Sequence, residues 1–202
     1  MTVIIDYGVG NLFSLTCSFN AIGADVTVSG DKDIIAAADK LILPGVGAFR
    51  DAASKLNAGG LGELVKQKAA DGTPLLGICL GMQLLFDNSL EYGDHNGLGL
   101  IPGTVRPISD KVQRGLKIPQ MGWNSLDFVN PSPIFDGIAN GDFVYFVHSY
   151  YADCPRKYIS AVTEYGAELT AAVRRGNVFG CQFHPEKSGS KGLEILKSFI
   201  AL

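Results

Sequence analysis

The sequence predicts an α/β domain built on a central, mostly parallel sheet with flanking helices and an antiparallel, strand-rich second half. Three observations predict it. Short apolar, β-branched runs alternate with longer helical patterns through the first half, the order expected of βαβ units. Those runs are continuously apolar, as in strands covered on both faces. The second half loses the helical pattern and becomes strand upon strand. At 202 residues one domain spanning 1–202 is expected, long enough to bury a sizeable core.

The elements follow in order. "TVIID" (2–6) reads as a strand, and "NLFSLTCSFNAIG" (11–23) as a helix opened by Asn11 and closed by Gly23. "DVTVS" (25–29) and "KLILPG" (40–45) are the next strands, and a helical stretch from Ala48 to Gly72 breaks near Gly59-Gly60. "PLLGI" (74–78) is a strand and "LGMQLLFDN" (80–88) a helix, before a glycine-rich loop, "DHNGLGLIPG" (94–103). "GLKIPQMGWNSLDFV" (115–129) suggests a bent or hairpin strand region. "DFVYFVHSYYA" (142–152), "YISAVTEYG" (158–166) and "LTAAVRRGNVFGCQF" (169–183) are strand-rich, with Arg-Gly-Asn marking a tight turn. "KGLEILKSFIAL" (191–202) closes as a helix with Leu193, Leu196 and Ile200 at helical spacing.

Composition narrows the function. A net charge of −3 provides no electrostatic footprint for nucleic acid or an anionic membrane. No apolar run is long enough to span a bilayer, and the N-terminus lacks the basic region of a signal, so a cytoplasmic protein is expected. Cys17, Cys79, Cys154 and Cys181 are widely spaced with no C-x-x-C, which argues against a structural metal or a disulfide framework. The question is then whether one thiol is reactive.

Cys79 is the candidate. Gly77-Ile78-Cys79-Leu80-Gly81 has the form G-x-C-x-G, the thiol counterpart of a nucleophile elbow. A sharp strand-to-helix turn leaves no room for side chains beside the nucleophile, so glycine flanks it. The cysteine then sits at a helix N-terminus, where dipole and free N–H groups stabilise thiolate, and the Leu80 N–H points where an oxyanion develops. The bland alternative is a buried cysteine in a strand that ends in glycine. Among three histidines, His95 lies in a polar loop and His148 ends a strand. His184 is followed two residues later by Glu186, which in extended chain faces the same side and fixes the imidazole tautomer. H-x-E alone is often a surface pair; with the elbow it supplies a base and its orienter. "LPGVGAF" (43–49) is either a plain loop or a second oxyanion donor that its glycines let approach. The residues thus point to a cysteine acyl-transfer enzyme that passes through an acyl-enzyme.

"GICLGMQLL", "VFGCQFHPEKSG" and "LPGVGAF" together resemble the class I, triad-type glutamine amidotransferases nearly end to end. That resemblance implies the single-domain fold of that family. It makes Cys79 the nucleophile, His184 the base and acid, Glu186 the orienting carboxylate, and Leu80 with Val46 and Gly47 the oxyanion hole. It implies that substrate L-glutamine contacts Gln83, His148, Ser149 and Tyr150, with Glu91 on the α-amino group. No cofactor or metal is implied. "DYGVGNL", "PQMGWN" and "YFVHSYY" resemble, more narrowly, glutaminases that serve a separate (β/α)8-barrel cyclase subunit. Such a cyclase turns a phosphoribosyl-formimino carboxamide ribonucleotide into imidazole glycerol phosphate and AICAR in histidine biosynthesis. Met121, Trp123 and Asn124 then read as interface residues, the alternative being a Trp123 buried in its own core. Phe13 departs from the polar or basic residue common after "GNL". Rival readings are a glutaminase of another amidotransferase, a cysteine hydrolase of other amides and a catalytically silent docking module.

Overall fold

The computed structural model describes residues 1–202. Its principal sheet has eight strands. Five run parallel: β1 (Thr2–Ile5), β2 (Val26–Ser29), β3 (Lys40–Leu43), β4 (Leu75–Ile78) and, returning from far along the chain, Val178–Cys181. Alternate residues of β1 show why these runs are continuously apolar: Val3 and Ile5 enter one core with Leu41, Leu43 and Phe49, and Ile4 enters the other with Ile42, Leu76 and Phe19. Each fully buried branched or aromatic side chain here contributes about 1.5–3 kcal/mol of transfer free energy.

Helix α1 (Leu12–Ala21) is capped by Asn11, whose side chain accepts from Ser14 N, and a short α2 (Lys32–Ala36), not anticipated above, is capped by Asp31. The long helical stretch is two helices, α3 (Phe49–Ala58) and α4 (Leu61–Ala70), broken where Gly60 takes φ +70°. The expected helix over 80–88 is one turn only, α5 (Leu80–Gln83). The chain then turns into β5 (Phe86–Ser89), which pairs with β6 (His95–Asn96) and β7 (Ile101–Pro107). The glycine-rich "loop" therefore supplies strands of a second, four-stranded sheet. The uniformly apolar "LLF" carried no period to separate helix from strand.

The remaining strands are β8 (Gln120–Ser125), β9 (Asp127–Phe128), β10 (Phe143–His148), β11 (Tyr150–Asp153), β12 (Ile159–Glu164), β13 (Glu168–Arg175) and β14 (Val178–Cys181). The principal sheet runs β2-β1-β3-β4-β14-β13-β12-β9, with its last three strands antiparallel. β8 and β10 form a separate antiparallel ribbon, and β11 closes the four-stranded sheet against β7. The final helix, α6 (Gly189–Ile200), buries Ile195, Leu196 and Phe199. Of the expected stripe only Leu196 is fully buried, because the face packed inward is centred on Gly192, Ile195, Leu196 and Phe199, which leaves Leu193 and Ile200 on its flanks. No helix is long and apolar enough to cross a membrane.

Candidate active site

β4 and β14 lie side by side in parallel, with Ile78 opposite Cys181. The candidate residues lie just beyond the two strand ends: Cys79 follows Ile78 directly, and His184 comes three residues after Cys181. Cys79 N donates to the Cys181 carbonyl at 2.7 Å, and Cys79 takes φ +54°, ψ −112°, a conformation costly for an L side chain that marks the elbow. The glycines around it are sterically required. A Cβ on Gly77 would stand 2.7 Å from the Gly81 carbonyl oxygen, and one on Gly45 would stand 2.7 Å from Gly81 N. The elbow is thus pressed against the turn that follows β3. One expectation is corrected: α5 is a single turn, so little macrodipole acts on the sulfur.

The thiol is nearly buried, at 7% exposure, but it lines a cavity of about 560 Å3 together with Val46, Gly47, Leu80, Gln83, Glu91, His148, Ser149, Tyr150 and His184. Ten of the eleven catalytic, oxyanion and substrate residues anticipated from the sequence, Cys79 included, line this cavity; only Glu186 does not, standing behind His184. His184 Nδ1 is 2.8 Å from Glu186 Oε1, and the two side chains are 4% and 2% exposed. The pairing comes not from extended chain but from a one-turn helix over Pro185–Lys187 that brings the carboxylate back to the ring. Burial opposes the imidazolium, yet hydrogen bonding and charge from Cys79 and Glu186 outweigh it and push the His184 pKa up to about 10.

The turn after β3 is held at one end and loose at the other. The buried Tyr7 hydroxyl donates to the Pro44 carbonyl at 2.7 Å, and burial followed by the nearby Cys79 charge pushes its pKa up. Gly47 takes φ +92° with open space around it. Glu91 lines the cavity, but its Oε2 also accepts from Phe49 N at 2.5 Å, capping α3, which has no other side-chain cap. His148 donates from Nδ1 to the Tyr150 carbonyl at 2.7 Å, and its Nε2 lies 2.9 Å from Gln120 Oε1. Burial, offset in part by that backbone bond, lowers its pKa to about 4, so the ring is neutral.

Met121 and Trp123 are 62% and 53% exposed on the outer face of β8, which excludes the buried alternative for Trp123. Trp123 meets Tyr145 of β10 edge-on at 6.0 Å. Asn124 points to the opposite face and bonds Gln120 at 3.0 Å. Phe13 is 79% exposed, and His95, which the sequence places in a polar loop, lies in β6, half-buried with Nε2 unpaired. Four residues at or beside the site carry no sequence signal: Tyr7, Gln120, Gln182 and Lys187. Lys187 lines the cavity, and the other three join the site through non-local contacts that no local pattern announces. No group of three or more His, Cys, Asp and Glu is placed to hold a metal ion.

The family described as "Glutamine amidotransferase class-I" matches residues 3–202. A relative from Syntrophotalea carbinolica, "Imidazole glycerol phosphate synthase subunit HisH", is 51% identical over 98% of both chains. One of the same name from Bacillus cereus is 50% identical over 98% of this chain and 93% of its own. Among solved structures, a crystal structure of a glutamine amidotransferase superposes with a TM-score of 0.77 at 18% identity, covering 99% of this chain and 97% of that one. PurLQS from Thermotoga maritima superposes at 0.73 and 19% identity, over 99% and 97%. At those identities the structures establish the fold alone.

Proposed function

The chain belongs to the class-I glutamine amidotransferases, and from that premise we propose that residues 1–202 form one domain in which Cys79, His184 and Glu186 hydrolyse L-glutamine. Identity near one half, end to end, with HisH subunits makes it the glutaminase of an imidazole glycerol phosphate synthase. The observation that supports the mechanism best is that His184, backed by the buried Glu186 at 2.8 Å, lines the same cavity as the Cys79 sulfur.

The Cys79 thiolate attacks the carboxamide carbon of glutamine, with its proton held on His184. The oxygen becomes an oxyanion, met by the Leu80 N–H and by the Val46–Gly47 segment, with glycine at 47 leaving that peptide free to orient. As the intermediate collapses, imidazolium passes its proton to the departing nitrogen, and ammonia leaves. Neutral His184 then takes a proton from water, whose attack on the thioester yields glutamate and restores the thiolate. Glu186 keeps the ring's Nδ1–H engaged, so that Nε2 serves the reacting atoms. Gln83, His148, Ser149 and Tyr150 hold the substrate, and Glu91 receives its α-amino group.

Ammonia released in open water is lost, so the site needs a consumer docked over it. We assign that role to a (β/α)8-barrel cyclase subunit seated on the exposed outer face of β8 and β10, where Met121, Trp123, Phe143 and Tyr145 form an apolar patch. A cytoplasmic setting suits free thiols at Cys17 and Cys79. The test is Cys79→Ala in the complex. Synthesis from glutamine is abolished while synthesis from added ammonia persists; loss of both would place Cys79 in assembly instead.

A further inference from the structure

Gln182 has no role in the mechanism above, yet it is fully buried beside the nucleophile. It follows Cys181 on β14 as Cys79 follows Ile78 on β4, so the parallel register sets the two residues next to each other. Its Nε2 lies 3.7 Å from Cys79 Sγ, within reach for an N–H···S bond. Its Oε1 lies 3.0 Å from Gln83 Nε2, which in turn lies 3.3 Å from the Tyr150 carbonyl oxygen.

One backbone group settles every orientation in this chain. The Tyr150 carbonyl can only accept, so Gln83 must face it with its amide nitrogen. The second hydrogen on that nitrogen points to Gln182 and requires an oxygen there, so the Gln182 nitrogen is the atom left facing the sulfur. Both Gln83 hydrogens are then used, and its oxygen is the polar atom left for the cavity that Gln83 lines.

We propose that Gln182 is a positioning residue: it donates an N–H to the Cys79 thiolate and, through its oxygen, turns the Gln83 carbonyl toward a donor of the substrate. Nucleophile and substrate contact become one hydrogen-bonded unit anchored on Tyr150. Because Gln182 is sealed from water, its N–H has no competing partner, and a charged acceptor strengthens the bond. The inference rests on Cys79 being the nucleophile.

Two substitutions separate the two halves of the role. Gln182→Glu keeps shape and an oxygen toward Gln83, but it replaces the donor at sulfur with a carboxylate that ionises before the thiol and opposes thiolate. Gln182→Met removes both contacts. The readouts are the pH profile of Cys79 alkylation by iodoacetamide, followed on the Cys79 peptide by mass spectrometry of the full chain, and glutamine KM and kcat in the complex. Gln182→Glu moves the alkylation midpoint up by about one pH unit, slowing reaction about tenfold on its acid side, with KM held within about twofold. Gln182→Met moves the midpoint up by about half a unit and raises KM about tenfold. A purely structural residue would lower the melting temperature and leave the Gln182→Met midpoint in place; an unmoved midpoint in folded Gln182→Met, which adds no charge beside the sulfur, overturns the proposal. A wild-type Cys79 that iodoacetamide does not modify would overturn the nucleophile assignment instead.

Discussion

Glu186→Gln removes one charge from the triad and little else. The carboxylate is 2% exposed and does not line the cavity, and glutamine keeps an oxygen for His184 Nδ1. At an effective dielectric near 20, charges 2.8 Å apart attract by roughly 6 kcal/mol, from which desolvation takes back several. The net result is seen at His184. A pKa raised from 6.5 to about 10 amounts to roughly 5 kcal/mol in favour of imidazolium, shared between Cys79 and Glu186 against the opposing burial. Removing the Glu186 share, on the order of 2–3 kcal/mol, lowers kcat about 30- to 150-fold. KM changes by less than about threefold, since no cavity atom is lost. The assay is glutamate release by the complex at saturating glutamine and pH 7. Retention of kcat within about threefold, or a loss confined to KM, would mean that the Glu186 charge does not support His184 in catalysis.

Two further predictions concern stability and assembly. His148 has a folded pKa near 4 against 6.5 unfolded, so the unfolded chain binds the proton first. Its contribution, roughly 3 kcal/mol, is present above pH 6.5 and lost as pH falls toward 4; urea unfolding across that range should be markedly steeper for wild type than for His148→Gln, and parallel curves would contradict it. Trp123→Ala removes an exposed anchor, so affinity for the cyclase subunit falls by about 2 kcal/mol, roughly 30-fold, while stability stays within about 1 kcal/mol. Calorimetric titration checks it, and unchanged affinity would move the interface elsewhere.

How legible all this was depended on whether the deciding interaction was local. Cys79 was readable because its two glycines lie within two residues of it in sequence, even though Gly77 is demanded by the backbone of Gly81 and Gly81 by the distant Leu43 carbonyl, and the His184–Glu186 pair because its partners are two residues apart. The parallel strands were readable because covering both faces makes them apolar throughout. The second sheet was not: "LLFDN" becomes strand only because Phe86 finds Ile101 and Asn88 finds Thr104, pairings that no local period encodes. The single turn of α5 was lost for the same reason. Gln182 and Gln83 meet across 99 residues, and Gln120 reaches His148 across 28. Each looks like an ordinary polar residue in a strand or helix until the register is known. α2 left a fainter local signal, Asp31 ahead of Asp33, whose N–H it caps.

The central claim is that glutamine becomes covalently attached to Cys79, and the most direct measurement is acid-quenched turnover of the complex followed by mass spectrometry of the Cys79 peptide. A glutamyl group is expected on Cys79 during turnover and none after Cys79→Ala. Undiminished glutamine hydrolysis by Cys79→Ala, or a glutamyl adduct on any other residue, would contradict it.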